Sequence, residues 1–229
     1  EKLRVREIRD CNELGVLESA WKELSQNAIE PSPSAEAWML LPALRLLPGG
    51  NTVSVIVIEA PEQNAAEDAP VLCGIFPIST QDRFKGLPVR VLSIWNHLYS
   101  LLPTPLISAH CAKECLSAFL GWVADQQPAP CLIEFPEIRA DGPLWWALGE
   151  ALREHGYADP LIRLSTRAAF RKTATLDTYL AGLGSAHHRK EWRRQERRLS
   201  ELGTFKFEEI SADSDVAGWI EEFIALELS

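Results

Sequence analysis

Three runs dense in β-branched and apolar residues, 52–58, 71–79 and 89–95, follow one another with only polar or turn-forming stretches between them. Runs of this length, bounded by glycine, proline and charged residues, read as neighbouring strands. The acidic, alanine-rich stretch 60–69 reads as an exposed hairpin loop and 81–86 as a second turn. Helical spacing brackets these strands. Asn12 is placed to cap a helix carrying Leu14, Leu17, Trp21 and Leu24. Ser34 is placed to cap a second one through Trp38, Leu41 and Leu44, ended by Pro48-Gly49-Gly50. Downstream come a helix over 112–125, an apolar strand over 131–135, an amphipathic helix over 144–155 closed by Gly156, and a strand over 161–169. With an alternating first strand at 3–8, the order is strand, helix, helix, three strands, helix, strand, helix, strand. That order predicts an α/β chain with a mixed central sheet flanked by helices.

Beyond Thr173 the character changes. A short helix is predicted over 175–183 and a longer, very basic one over 185–202. Residues 205–210 then alternate like the first strand. Residues 213–228 form an amphipathic helix with Val216, Trp219, Ile220, Phe223 and Leu226 on one face. This strand and helix repeat the opening pair. The expected organisation is one complete domain over 1–173, basic linker helices over 174–203, and the start of a second domain over 204–229. The final helix has no glycine or proline exit and the first residue is Glu1, which leads to the expectation that the protein extends beyond these residues.

Residues 87–120 contain no glycine. The stretch joins strand 89–95 to the helix expected to begin near His110. In many α/β proteins such a junction cradles phosphate, because bare backbone N–H groups and the helix N-terminus approach the anion. Here it reads Ile94-Trp95-Asn96-His97-Leu98-Tyr99-Ser100-Leu101-Leu102-Pro103-Thr104-Pro105, bulky and proline-stiffened. It is built to present side chains and not to hold phosphate. Asn96, His97 and Tyr99 lie just past the strand, where α/β sheets open into a ligand crevice. One of them could orient an acceptor hydroxyl or amine, and His97 could move a proton near neutral pH. The alternative is that they satisfy buried backbone in a proline-rich loop.

The basic helix is the strongest local signal. Arg189, Arg193 and Arg197 are spaced by four, as are Lys190, Arg194 and Arg198, so two cationic rows lie side by side, with Trp192, Leu199 and Leu202 forming an opposite stripe that can pack on the body. One reading is a solvated face balanced by Glu191, Glu196 and Glu201. The other is an anion platform for a nucleotide-sugar diphosphate, a CoA phosphate or an acidic polymer. Nucleic acid is not expected, since the chain carries a net charge of -9 and the arginines have no interleaved aromatics. His187-His188 reads as a helix start.

Five cysteines, odd in number and scattered through segments that read as buried, fit a reducing compartment better than a disulfide framework. Cys111 and Cys115 lie four apart beside His110, but no second ligand pair completes a zinc site, and no metal is expected. Ser165 and Ser185 have no nucleophile-elbow context. Most of the eight tryptophans sit on apolar helical faces and read as core, as does at least one of Trp145 and Trp146. No run reaches membrane-spanning length and no basic-then-apolar leader opens the chain, so it is expected in the cytoplasm without membrane insertion.

The element order of residues 3–170 resembles that of the GNAT (N-acetyltransferase) superfamily. A second copy starting at Phe205 resembles the tandem arrangement of FemABX-like transferases. More closely, the chain resembles the CelD/BcsL acyltransferases associated with bacterial cellulose and exopolysaccharide production. The residues that carry this are Trp21 with Leu24, Pro33-Ser34-Ala35-Glu36-Ala37-Trp38, Asn96-His97 with Thr104-Pro105-Leu106, and Arg193-Arg194-Gln195-Glu196-Arg197-Arg198-Leu199-Ser200-Glu201-Leu202-Gly203. The resemblance implies acyl transfer from acetyl-CoA or another acyl-CoA to an amine or hydroxyl of a small-molecule or saccharide-precursor acceptor. In that superfamily the pyrophosphate is held after the fourth strand by Arg/Gln-x-x-Gly-x-Gly/Ala, a pattern the glycine-free junction departs from completely. Cofactor binding and chemistry would then fall to the second copy, with no catalytic residue assigned in the first and this chain inactive alone. Trp38, Asn96, His97, Tyr99, Arg189, Arg193, Arg194 and Arg197 remain as candidates for holding substrate or anion. Two alternatives stay open: aminoacyl transfer from charged tRNA, and a non-catalytic module of an exopolysaccharide synthase.

Overall fold

The computed structural model describes residues 2–61, 70–168, 170, 172–183, 185–211 and 214–228. Most of the predicted loop 60–69, together with Ala169 and Asp213, lies outside them. The chain divides into two units, residues 1–165 and 166–229.

The first unit is built on β2 (Ser54–Glu59) and β3 (Leu72–Gln81). Their runs are apolar at successive positions, so both faces of each strand must be covered. Val55, Val57, Leu72 and Ile75 enter one core with Leu14, Trp21, Leu24, Leu40 and Leu44. The intervening Ile56, Ile58, Cys73 and Phe76 enter a second core with Cys115, Leu116, Phe119, Leu120 and Leu148. The period-two alternation of the strands thus sorts side chains between two helical layers. One layer is α1 (Cys11–Gly15), α2 (Glu18–Gln26) and α3 (Ala37–Leu46); the other is α4 (Ala112–Ala124) and α5 (Pro143–Glu154).

The sheet order is β1 (Arg4–Ile8), β2, β3, β4 (Val91–Ile94), β6 (Leu132–Glu134), with β5 (Leu106–Ile107) also on β3. The pairs β1/β2, β2/β3, β3/β4 and β3/β5 are antiparallel, while β4/β6 is parallel across the α4 crossover. The result is a mixed sheet flanked by helices. On β3, β4 pairs with Ile78–Gln81 and β5 with Gly74 and Ile75, so two short strands share its one edge end to end. The chain between them loops away from the sheet.

Several local expectations are corrected. The first helix is interrupted around Gly15 and Val16, and its cap is Asp10, whose carboxylate accepts from Asn12 N at 2.8 Å. Ser34 does not cap α3: it lies in a 3-10 turn, Pro33–Ala35, and its hydroxyl donates to the Leu102 carbonyl at 2.9 Å. Helix α5 is capped from far away in sequence, by the buried Glu30 carboxylate accepting from Leu144 N at 3.0 Å. That acceptor sits where the helix N-terminus is positive and its N–H groups are otherwise unpaired. Residues 161–168 form no strand: Leu161, Ile162 and Leu164 are exposed and pair with no ladder, and apolar alternation alone does not hold an extended chain without a partner. Four of the eight tryptophans, Trp38, Trp146, Trp192 and Trp219, are exposed, and only Trp21 and Trp95 are buried. Trp145 is half-buried, because the adjacent residue on a helix faces about 100° away and α5 packs only one stripe.

The second unit comprises α6 (Leu176–Gly182), α7 (Ala186–Leu202) and α8 (Val216–Glu227). Thr175 caps α6 by accepting from Thr178 N, and Asp215 caps α8 by accepting from Gly218 N. Residues 205–210, predicted as a strand, have no ladder partner and are exposed among the described residues, for the same reason as 161–168. The apolar residues Val216, Trp219, Ile220 and Phe223 of α8, and Trp192, Leu199 and Leu202 of α7, are likewise exposed.

Candidate functional site

The parallel pair β4/β6 ends at Ser93 and Glu134, where the Ser93 hydroxyl donates to the Glu134 carboxylate at 3.2 Å. Beyond it the two strands part. The carboxyl ends of parallel strands are where α/β sheets receive ligands. The loop 95–105 starts at this point. Its entry is fixed by Trp95 N donating to the Pro77 carbonyl at 2.8 Å, and its exit by β5 pairing at Ile75. Two serines of the segment before α3 hold its far side: Ser34 bonds the Leu102 carbonyl, and Ser32 donates to the Thr104 carbonyl. Ser32 is buried, and the turn containing Ser34 is itself held by the buried Trp21, whose indole N–H donates to Ala35 O at 2.9 Å. The proline-serine run thus places Trp38, at the start of α3, on the segment joined to this loop.

Within the loop the expected residues differ in what they offer. Asn96 is exposed, and Tyr99 is exposed together with Leu98 and Leu101, at 63%, 86% and 74%. These make an apolar lip with one phenol. Trp38, 67% exposed, has its indole N–H donated to Glu36 at 2.8 Å. His97 is half-buried, its ring tilted over Trp95 at 4.8 Å between centroids. Tyr99 N donates to its Nδ1 at 3.3 Å and Ser100 N to its carbonyl at 2.9 Å.

With Nδ1 accepting, the neutral imidazole carries its proton on Nε2. That Nε2 and the hydroxyl oxygen of the adjacent Ser100 are shielded from solvent, and neither has a hydrogen-bond partner among the described residues. Leaving such a group unpaired costs about 1–3 kcal/mol, so two in one short loop mark it as a place where an incoming polar group can bind. Ser100 was not singled out from sequence, since a serine between hydrophobic residues carries no signal of its own.

Burial lowers the His97 pKa from its ordinary value of 6.5. In the window below 6.5 the folded chain binds fewer protons here than the unfolded chain does. The His97 contribution to stability is therefore present above that pH and lost as pH falls through the lower folded-state value. An NMR titration of the His97 ring is expected to give a midpoint below 6.5, and His97→Gln is expected to remove this part of the acid sensitivity. A midpoint at or above 6.5 would sink the assignment of a shielded, neutral ring.

The arginines of α7 lie in the second unit. Arg194 donates from two nitrogens to one Glu191 oxygen, at 2.6 and 3.1 Å, and pulls that carboxyl below its usual range; Arg197 pairs more loosely with Glu201 at 3.8 Å. Arg193 has no ion pair among the described residues. The helix is thus partly the charge-balanced face expected of it, with Arg189 and Arg193 on the row beside that pairing.

A groove of about 710 Å3 between β1 and α4 is lined by residues that include Lys2, Lys113, Glu114, Ser117, Asp125 and Glu154, with Lys113 and Glu154 paired at 2.6 Å. Among the described residues no group of three or more His, Cys, Asp or Glu side chains is placed to hold a metal ion, and no helix is long and apolar enough to cross a membrane.

No family model matches the chain, and none of the curated proteins matches it. Among solved structures it is similar to a predicted acetyltransferase with acetyl-CoA from Clostridium acetobutylicum. The identity is 14% over 72% of this chain and 96% of that one, with a TM-score of 0.37.

Proposed function

We propose that the first unit is the acceptor-recognition half of a GNAT-type acyltransferase of the CelD/BcsL kind, acting in the cytoplasm on a hydroxyl or amine of a saccharide or cell-envelope precursor. One observation carries the reading: at the open end of the parallel β4/β6 pair, one loop holds His97 Nε2 and Ser100 Oγ shielded and unpaired. His97 then donates to the acceptor oxygen or its neighbour and orients it; with Nδ1 already bonded and the pKa lowered, it is a donor and not a base. Tyr99, Asn96 and Trp38 supply faces and amides at the lip. The arginines Arg189, Arg193, Arg194 and Arg197 suit the anionic part of a diphosphate or CoA ligand.

The residues after β4 do not fit acyl-CoA pyrophosphate. Residues 87–120 lack glycine, and bulky side chains occupy the positions where backbone N–H groups would have to approach the anion. No step through the thioester is assigned to this unit, and the donor would be held by a second copy of the fold.

This chain is therefore expected to release no thiol from acetyl-CoA above background, with or without sugar acceptors. Turnover would overturn the reading. In a protein carrying a complete second copy, thiol release is expected with acetyl-CoA, and His97→Ala is expected to raise the acceptor KM more than it lowers kcat. Transfer from charged tRNA would instead make the protein an aminoacyl transferase.

A further inference from the structure

Three of the five cysteines meet where α4 starts. Cys73 lies on β3, buried; Cys115 is fully buried one turn into α4; Cys111 is half-buried at the helix N-cap. Backbone bonds fix the approach. Ser108 N donates to the Cys73 carbonyl at 2.9 Å, so the chain leading into α4 runs beside Cys73, and Cys115 N donates to the Cys111 carbonyl at 2.8 Å. The packing is close enough that a Cβ added at Gly74 would stand 2.4 Å from the Cys115 sulfur. Cys73 and Cys115 belong to one buried cluster, and the half-buried Cys111 packs against it, which brings its thiol within range of the Cys73 thiol.

We propose that Cys111 and Cys73 form a peroxide-reactive dithiol that closes reversibly to an intramolecular disulfide. The geometry distinguishes the partners. Cys111 is the one the solvent reaches, and it stands at a helix N-terminus, where negative charge is favoured. Cys73 is buried beside it and is the resolving thiol. Cys115 is enclosed in the core and takes no part.

For Cys111, interaction with the Cys73 thiol, helped by the Ser108 hydroxyl, outweighs burial and the nearby Glu114 carboxylate and brings the Cys111 thiol down to about 7; the same interaction, with burial, raises Cys73 far above its usual value. The pair is thus polarised as attacking thiolate and proton-holding partner. In the first step the Cys111 thiolate attacks the terminal oxygen of a hydroperoxide. The S–O bond forms, the O–O bond breaks, and the alkoxide or hydroxide leaves with a proton from solvent. In the second the Cys73 sulfur attacks the sulfenic sulfur of Cys111, its own proton joining the departing hydroxide as water. The net change is two thiols and one peroxide to one disulfide, one water and one alcohol or a second water. A dithiol reductant reverses it.

The test uses the whole chain, with exposed Cys131 as internal control. Hydrogen peroxide is titrated in, remaining thiols are blocked with N-ethylmaleimide, and peptides are mapped without reduction. A peptide joining Cys73 to Cys111 is expected as the first product, reversed by dithiothreitol. The rate of Cys111 loss should reach half its maximum near pH 7. Cys73→Ala is expected to stop at a Cys111 sulfenic acid trapped by dimedone, and Cys111→Ser to abolish the linkage. Oxidation of Cys131 ahead of Cys111, or a linkage to any other cysteine as the first product, would overturn the proposal. The mapping on the unmodified chain decides it even where a variant does not fold.

Discussion

Replacing Trp21 by alanine is expected to lower the stability of the first unit by about 3–5 kcal/mol. The ring is fully buried against α3 and the sheet, and its N–H satisfies the Ala35 carbonyl. Truncation removes one of the two tryptophans of that core, the fully buried one, and also leaves a carbonyl without its donor. Trp21→Phe keeps most of the volume and loses the hydrogen bond, so it should cost about 1–3 kcal/mol. Guanidinium denaturation reads both: the midpoint should move while the slope stays constant. A loss under 1 kcal/mol for the alanine variant would mean that the layer formed by α1 to α3 is not held as described. Such a change is also expected to reach the loop, because the turn at Ala35 carries Ser34, which holds Leu102.

The second large effect lies on the other face of the sheet. Phe119 is fully buried and stacked on Phe76 with 4.3 Å between centroids and 4° between planes, and Phe135 meets it edge-on at 6.2 Å. Phe119→Ala should cost about 3–5 kcal/mol, Phe119→Leu under about 1.5 kcal/mol. Because the sheet stands between Trp21 and Phe119, with no shared partner in either core, the two alanine losses should add to within about 0.5 kcal/mol. A double variant departing from the sum by more than 1 kcal/mol would show that the two layers are coupled through the strands.

The sequence announced the sheet best where burial is two-sided. The apolar runs around Val55 to Ile58 and Cys73 to Ile78 left no residue for solvent, and both became central strands. It misled where one-sided alternation had no partner, as at Leu161, Ile162 and Leu164. A pattern of period two states which face is apolar, not whether a neighbouring strand exists to pair the backbone. Capping was equally hard to read. Asp10 acts where Asn12 was expected, and Glu30 caps α5 across more than a hundred residues, a partnership local spacing cannot encode. The loop after β4 was visible as a glycine-free, proline-bounded stretch carrying His97. Its tethering by Ser32 and Ser34, and the unpaired oxygen of Ser100, arise only once the chain has folded.

The loop's two ends are both secured to β3, at Pro77 and at Ile75. Its ends are therefore brought together by the sheet and not by its own sequence. Lengthening such a closed excursion is entropically mild, about 0.6 kcal/mol for each doubling, and leaves the strand register untouched. This architecture separates inheritance of the scaffold from invention at the rim: substitutions or insertions between Asn96 and Leu101 can change the side chains that the rim presents while the fold beneath stays the same.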